Sequence, residues 1–118
     1  MLSVATLASG SSGNCAVVSD GRVHILLDAG ISARRILRGL EELGIQGDQL
    51  AGILLTHEHS DHISGLSTLC RQLNMELYAT AGTARQICYR VAGLEDRFRV
   101  FDPGEAFALG DLVVGSFA

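Results

Sequence analysis

The sequence predicts an α/β domain, a mixed sheet with helices on an outer face. Three observations carry that prediction. Segments rich in strand formers alternate with segments whose apolar residues recur every three to four positions. The order reads strands, helix, strand, helix, strand, helix, strands. The chain has 118 residues, 47% of them hydrophobic and 19% charged, which suits one globular domain and not a disordered segment.

Taken in order, Leu2 to Leu7 is the first strand. Ala16–Ser19 and Val23–Leu27 flank Asp20-Gly21, a two-residue hairpin signal. Asp28-Ala29-Gly30 closes the third strand. The period then lengthens: Ile36, Leu37, Leu40 and Leu43 mark an amphipathic helix, capped by Ser32 and closed by Gly44, with Arg34, Arg35, Arg38, Glu41 and Glu42 on its wet side. Ala51–Thr56 is a short apolar run of the kind found in a buried central strand. Ile63, Leu66, Leu69, Cys70 and Leu73 mark a second helix. Glu76–Ala79 is a further strand, and a third helix covers Ala81–Val91 with Thr80 as its cap. Phe98–Phe101 and Glu105–Leu109 are strands around Asp102-Pro103-Gly104, and Gly110-Asp111 turns into Leu112–Phe117.

Composition excludes little but orders the alternatives. A formal net charge of -4 gives no general basic surface for nucleic acid, although bound metal ions would add positive charge where a phosphate sits. Cys15, Cys70 and Cys88 form no Cys-x-x-Cys pattern and read as free thiols of a reducing compartment. The apolar N-terminus lacks a basic leader and reads as a strand, and no apolar run is long enough to cross a bilayer, so a cytoplasmic protein without membrane partners is expected.

The chemistry is concentrated in Thr56-His57-Glu58-His59-Ser60-Asp61-His62. His57 and His59 lie two apart past a strand, where side chains i and i+2 point to the same side and can converge on one ion. Asp61 and His62 follow where the chain turns toward the next helix, and can hold a second ion nearby. Imidazole and carboxylate suit zinc, and also manganese or iron. Three of the four histidines fall within residues 57–62, whereas His24 stands alone and reads as structural. Glu58 and Ser60 alternate away from the ligands.

That segment resembles the His-x-His-x-Asp-His motif of the metallo-β-lactamase superfamily. Asp28-Ala29-Gly30 resembles the family's upstream aspartate motif, and Ala8-Ser9-Gly10-Ser11-Ser12-Gly13-Asn14-Cys15 is similar to the opening of its YycJ-like (WalJ-like) group of bacterial hydrolases. The resemblance implies an αβ/βα sandwich with a zinc pair, or manganese, at one edge. It implies His57 and His59 on the first ion, Asp61 and His62 on the second, and Asp28 hydrogen-bonded near the ligand loop; on the residues alone Asp28 is equally a turn aspartate. Asp61 is expected to orient the nucleophile besides ligating. Ser11, Ser12 and Asn14 are candidate contacts to substrate phosphates, with a simple turn as the competing reading. The family completes its metal shell with later ligands, and no histidine follows His62 here. Residues 1–118 are therefore expected to form the N-terminal half of the fold. The expected activity of the intact protein is metal-dependent hydrolysis of phosphodiesters, with a nucleic-acid end as the expected substrate. The alternatives are carbonyl hydrolysis, as in thioesterases or lactamases, and an inactive metal-binding half-fold whose open sheet face drives self-association.

Overall fold

The computed structural model describes residues 2–10, 13–56, 63–102, 106–109 and 112–115, with backbone alone for 107–109 and 112–115. Strands β1 (Ser3–Ala8), β2 (Cys15–Ser19) and β3 (His24–Leu27) lead into helix α1 (Ala33–Glu42). Strand β4 (Leu50–Leu54), helix α2 (Leu66–Gln72), strand β5 (Glu76–Thr80), helix α3 (Ala81–Arg90) and strand β6 (Phe98–Phe101) follow. Strands β7 (Ala106–Leu109) and β8 (Leu112–Gly115) form a separate antiparallel pair. Strands β1 to β6 make one sheet in sequence order, antiparallel from β1 to β3 and parallel from β3 to β6. The predicted mixed α/β sheet is thus observed. Each parallel step returns through a helical connection, as parallel strands require.

Register shows where the core lies. Ala5, Val17, Leu26, Ile53 and Leu77 pair in succession across five strands, and the last four are all but fully buried. Because side chains alternate along a strand, this row shares one face, and Ile36 and Leu40 of α1, Leu66 and Leu69 of α2 and Ile87 of α3 join it in one apolar cluster. On the other face Ala16, Leu27, Leu54 and Tyr78 pair in succession and are half-buried, while Ile25, opposite Val18, is buried.

Several boundaries differ from expectation, each for a local reason. The β2–β3 connection has four residues rather than two: Ser19 pairs with His24, and the Asp20 carboxylate accepts the Arg22 and Val23 N–H groups, which favours the wider turn. β4 ends at Leu54, and two residues on the Thr56 N–H leaves the ladder for the Asp28 carboxylate. The second helix does not run continuously from Ile63, because the Gly65 N–H donates to Ala29 O across the chain. Ser32 caps α1 through the Arg35 N–H, and Gly44, with φ 76°, closes it. Leu43 is at the exposed end of that helix and not in its buried stripe. Thr80 stands at the cap position of α3, but its hydroxyl engages Thr83 Oγ1 instead of a backbone N–H.

Candidate metal centre

The parallel strands β3, β4 and β5 point their C-terminal ends to one edge of the sheet, the edge where α/β folds place ligands. Asp28 follows β3 there. Its backbone has φ 62°, the left-handed region that few residues other than glycine, asparagine and aspartate adopt. Its N–H donates to Leu54 O at 2.8 Å, continuing the β3–β4 pairing past the end of the strand. Its carboxylate, 6% exposed, accepts the Thr56 N–H on Oδ1 at 2.8 Å and the Thr56 hydroxyl on Oδ2 at 2.7 Å. Asp28 therefore grips the residue immediately before His57. Cys15 lies beneath this turn. Burial first, and the Asp28 charge second, push its thiol up to about 12, so it is a neutral packing group there.

The next two residues of the turn hold the far side of the same segment. The Gly65 N–H donates to Ala29 O at 2.8 Å, and the Ser64 hydroxyl donates to Gly30 O at 2.6 Å. Gly65 is obligatory: a β-carbon there would strike the Ile31 carbonyl. The Ser/Gly loop meets the turn from the other direction. The Gly30 N–H donates to Asn14 O at 2.9 Å, and a β-carbon on Gly13 would sit 2.5 Å from Gly30 O. The Asn14 side chain closes its own loop, accepting the Gly10 N–H and donating to Gly10 O, both at 3.1 Å.

The expected ligands His57, His59, Asp61 and His62, with Glu58 and Ser60 between them, lie outside the described residues, as do Ser11 and Ser12. Among the described residues no group of histidine, cysteine, aspartate and glutamate side chains is assembled for a metal. His24 sits at the opposite end of β3 from Asp28, its Nδ1 2.7 Å from Ser19 Oγ, so it closes a hairpin away from this edge. Sequence reasoning gave no role to Thr56, Ser64, Gly13 or Gly65. A glycine at the mouth of a helical pattern was the one available signal, because it marks close backbone approach. The side chains of His57, His59, Asp61 and His62, three imidazoles and a carboxylate, are donors that suit a divalent ion, and the Asp28 carboxylate holds the residue just before them.

Residues 8–116 match the family described as the metallo-beta-lactamase superfamily. The chain belongs to that superfamily. The superfamily usually binds a divalent metal, typically zinc. Among curated superfamily proteins, exodeoxyribonuclease WalJ of Streptococcus pneumoniae is 38% identical over 94% of this chain. Exodeoxyribonuclease YycJ of Bacillus anthracis is 34% identical over 98% of it. Among solved structures, Rm3 metallo-beta-lactamase superposes with a TM-score of 0.79 over 98% of this chain at 23% identity, a likeness of fold. The chain spans 42% and 44% of those two nucleases and 48% of the lactamase. No helix among the described residues is long and apolar enough to cross a membrane.

Proposed function

We propose that this chain forms part of a metal-dependent phosphodiesterase that removes nucleotides from DNA ends. The observation that carries the reading is the 34–38% identity to two exodeoxyribonucleases over nearly the whole chain, against 23% to the lactamase that shares the fold. His57 and His59 would hold one ion, Asp61 and His62 a second, zinc or manganese. Such ions supply Lewis-acid charge at the phosphoryl oxygens and bring the ionisation of water down toward about pH 7. The chain's own residues do the rest. Asp28 fixes Thr56 and so the entry to the histidine segment. Asp61 orients the attacking water besides ligating. The Ser/Gly loop, with Ser11 and Ser12, presents hydroxyls and N–H groups to a substrate phosphate, and Asn14 sustains that loop by its bonds to Gly10. Three free cysteines suit a reducing compartment, which agrees with a cytoplasmic enzyme acting on nucleic acid.

The test incubates the intact protein that contains this chain, and its His59→Ala variant, with end-labelled DNA, bis-para-nitrophenyl phosphate, a thioester and nitrocefin, with bound metal measured by elemental mass spectrometry. Loss of nucleotides from DNA ends, together with metal retained by the parent and lost by the variant, is the expected result. Turnover confined to nitrocefin or the thioester replaces the phosphodiester reading with carbonyl hydrolysis. Metal bound equally by both proteins removes the histidine segment from the metal centre.

A further inference from the structure

Helices α1 and α2 both begin at the sheet edge that Asp28 and Thr56 occupy, and both run back across the same face of the sheet. They start side by side, since a β-carbon on Gly65, just before α2, would strike the Ile31 carbonyl, just before α1. A groove of about 410 Å³ lies between them, lined by Arg34, Arg38 and Glu41 of α1 and Thr68 and Gln72 of α2. Arg71 leans back one turn toward the start of α2, as long helical side chains do, and donates to Thr68 Oγ1 at 3.3 Å. That brings a third cation to the groove. Arg34, Arg38 and Arg71 are all exposed, as is Arg35 beside them. Among the described residues none of the four pairs with a carboxylate, and the ion pair there is Arg99 with Glu76, on the sheet. The charge order of α1 also runs against its dipole: cations stand in the first two turns, Glu41 and Glu42 in the last. That order weakens a helix, so helix stability does not account for it. In a chain of net charge -4 it makes a local positive surface.

We propose that the groove between α1 and α2 holds the phosphate backbone of a nucleic-acid strand, with Arg34, Arg38 and Arg71 as its cations and Thr68 as a hydroxyl partner. The proposal rests on the phosphodiesterase reading above and adds where the strand lies beyond its reacting end. Guanidinium groups present a planar fork of donors that matches phosphate oxygens. Arg34 and Arg38 are one helical turn apart, about 6 Å along the axis, a separation that neighbouring phosphates of an extended strand can match. Glu41 lines the groove farther along α1 from the edge, where attraction gives way to repulsion, so contact is confined to the phosphates nearest the edge. Contacts of this kind give affinity without sequence preference, because the backbone is the same whatever the bases.

The test measures binding of a fluorescein-labelled single-stranded oligonucleotide to the intact protein that contains this chain. Anisotropy is read between about 50 and 200 mM salt, with a chelator present so that the strand is not degraded. Arg34→Gln combined with Arg38→Gln is expected to bind about tenfold more weakly, equally on two unrelated sequences, and to lower the salt slope by about 1.4, at ~0.7 for each single-strand phosphate released. Arg85→Gln combined with Arg90→Gln removes the same charge from α3 and is expected to keep the parent slope. All four positions are exposed, and loss of cations from the start of α1 should leave the melting temperature at or above the parent's. Equal slopes in the parent and the α1 double variant overturn the proposal and leave the phosphodiesterase reading standing. An equal loss in the α3 double variant does the same, because net charge would then be the cause. Polyglutamate that displaces the oligonucleotide at equal charge concentration replaces the strand with an acidic protein and overturns the proposal too. A parent that neither binds DNA nor, with metal restored, shortens it overturns both readings.

Discussion

Asp28 combines a left-handed backbone with a buried carboxylate that accepts two bonds from one threonine. Replacing it with alanine removes both acceptors and leaves a β-carbon in a conformation that suits it poorly. Asp28→Ala is expected to destabilise the chain by about 3 kcal/mol in urea unfolding, and Asp28→Asn, which tolerates the same backbone, by roughly half as much. Equal effects of the two would mean that the charge and not the backbone conformation sets the cost. Cys15 makes a pH prediction. Its folded thiol is raised to about 12, so its contribution is complete below the ordinary thiol value and is lost as pH rises toward 12. Stability of the parent should fall across roughly pH 8.5 to 12, a component absent from Cys15→Ala. An alkaline profile identical in the two proteins would assign the loss to other groups. The histidine motif was legible at this scale because its residues are adjacent in sequence. The partners of Asp28 were not, since 28 positions separate it from Thr56.

Elements are held together by backbone carbonyls as much as by apolar stripes. The Arg97 guanidinium, in the short turn Glu95–Arg97 before β6, donates to Leu73 O, Met75 O and Cys70 O, closing the C-terminal end of α2 and the chain that leads to β5. Arg97→Ala should cost about 2 kcal/mol and speed amide exchange in α2 before the rest of the sheet. Uniform acceleration across all strands would contradict a local clamp. The β2–β3 turn gives the acid-side counterpart of Cys15. N–H groups of Val23 and Arg22 hold the Asp20 carboxyl below the usual carboxylate range. Its contribution is present above that range and disappears as pH falls through the lowered value. The stability difference between parent and Asp20→Asn should therefore shrink in acid, measured by thermal unfolding at decreasing pH, and a constant difference would show that the turn bonds do not depend on the charge. Periodicity found the strands and helices on either side of both features. It missed the four-residue turn and the exposed Leu43, because a turn's width depends on which N–H groups a carboxylate captures, and a stripe's last member depends on where the sheet ends.

For the molecule as a whole, one face of the six-stranded sheet is packed by helices, while on the other Ile25 is buried and Val18, Leu27, Leu54 and Tyr78 are half-buried. An apolar face of this kind favours association with a second copy of the chain. Sedimentation velocity over a wide range of protein concentration should show reversible dimers, and a single monomeric boundary throughout would mean that the face is sufficiently shielded within one chain.

The sequence by itself determined the α/β class, the order of the strands and helices, and the imidazole and carboxylate donors placed just after a buried strand. These are properties of neighbours two to four positions apart, where side-chain type and spacing carry the information. Only the tertiary structure decided that one turn, Asp28 to Gly30, fastens both ends of the histidine segment and the exit of the Ser/Gly loop. Most of those bonds end on backbone carbonyl and N–H groups, which every residue but proline offers alike. No spacing of side chains records which of them will meet.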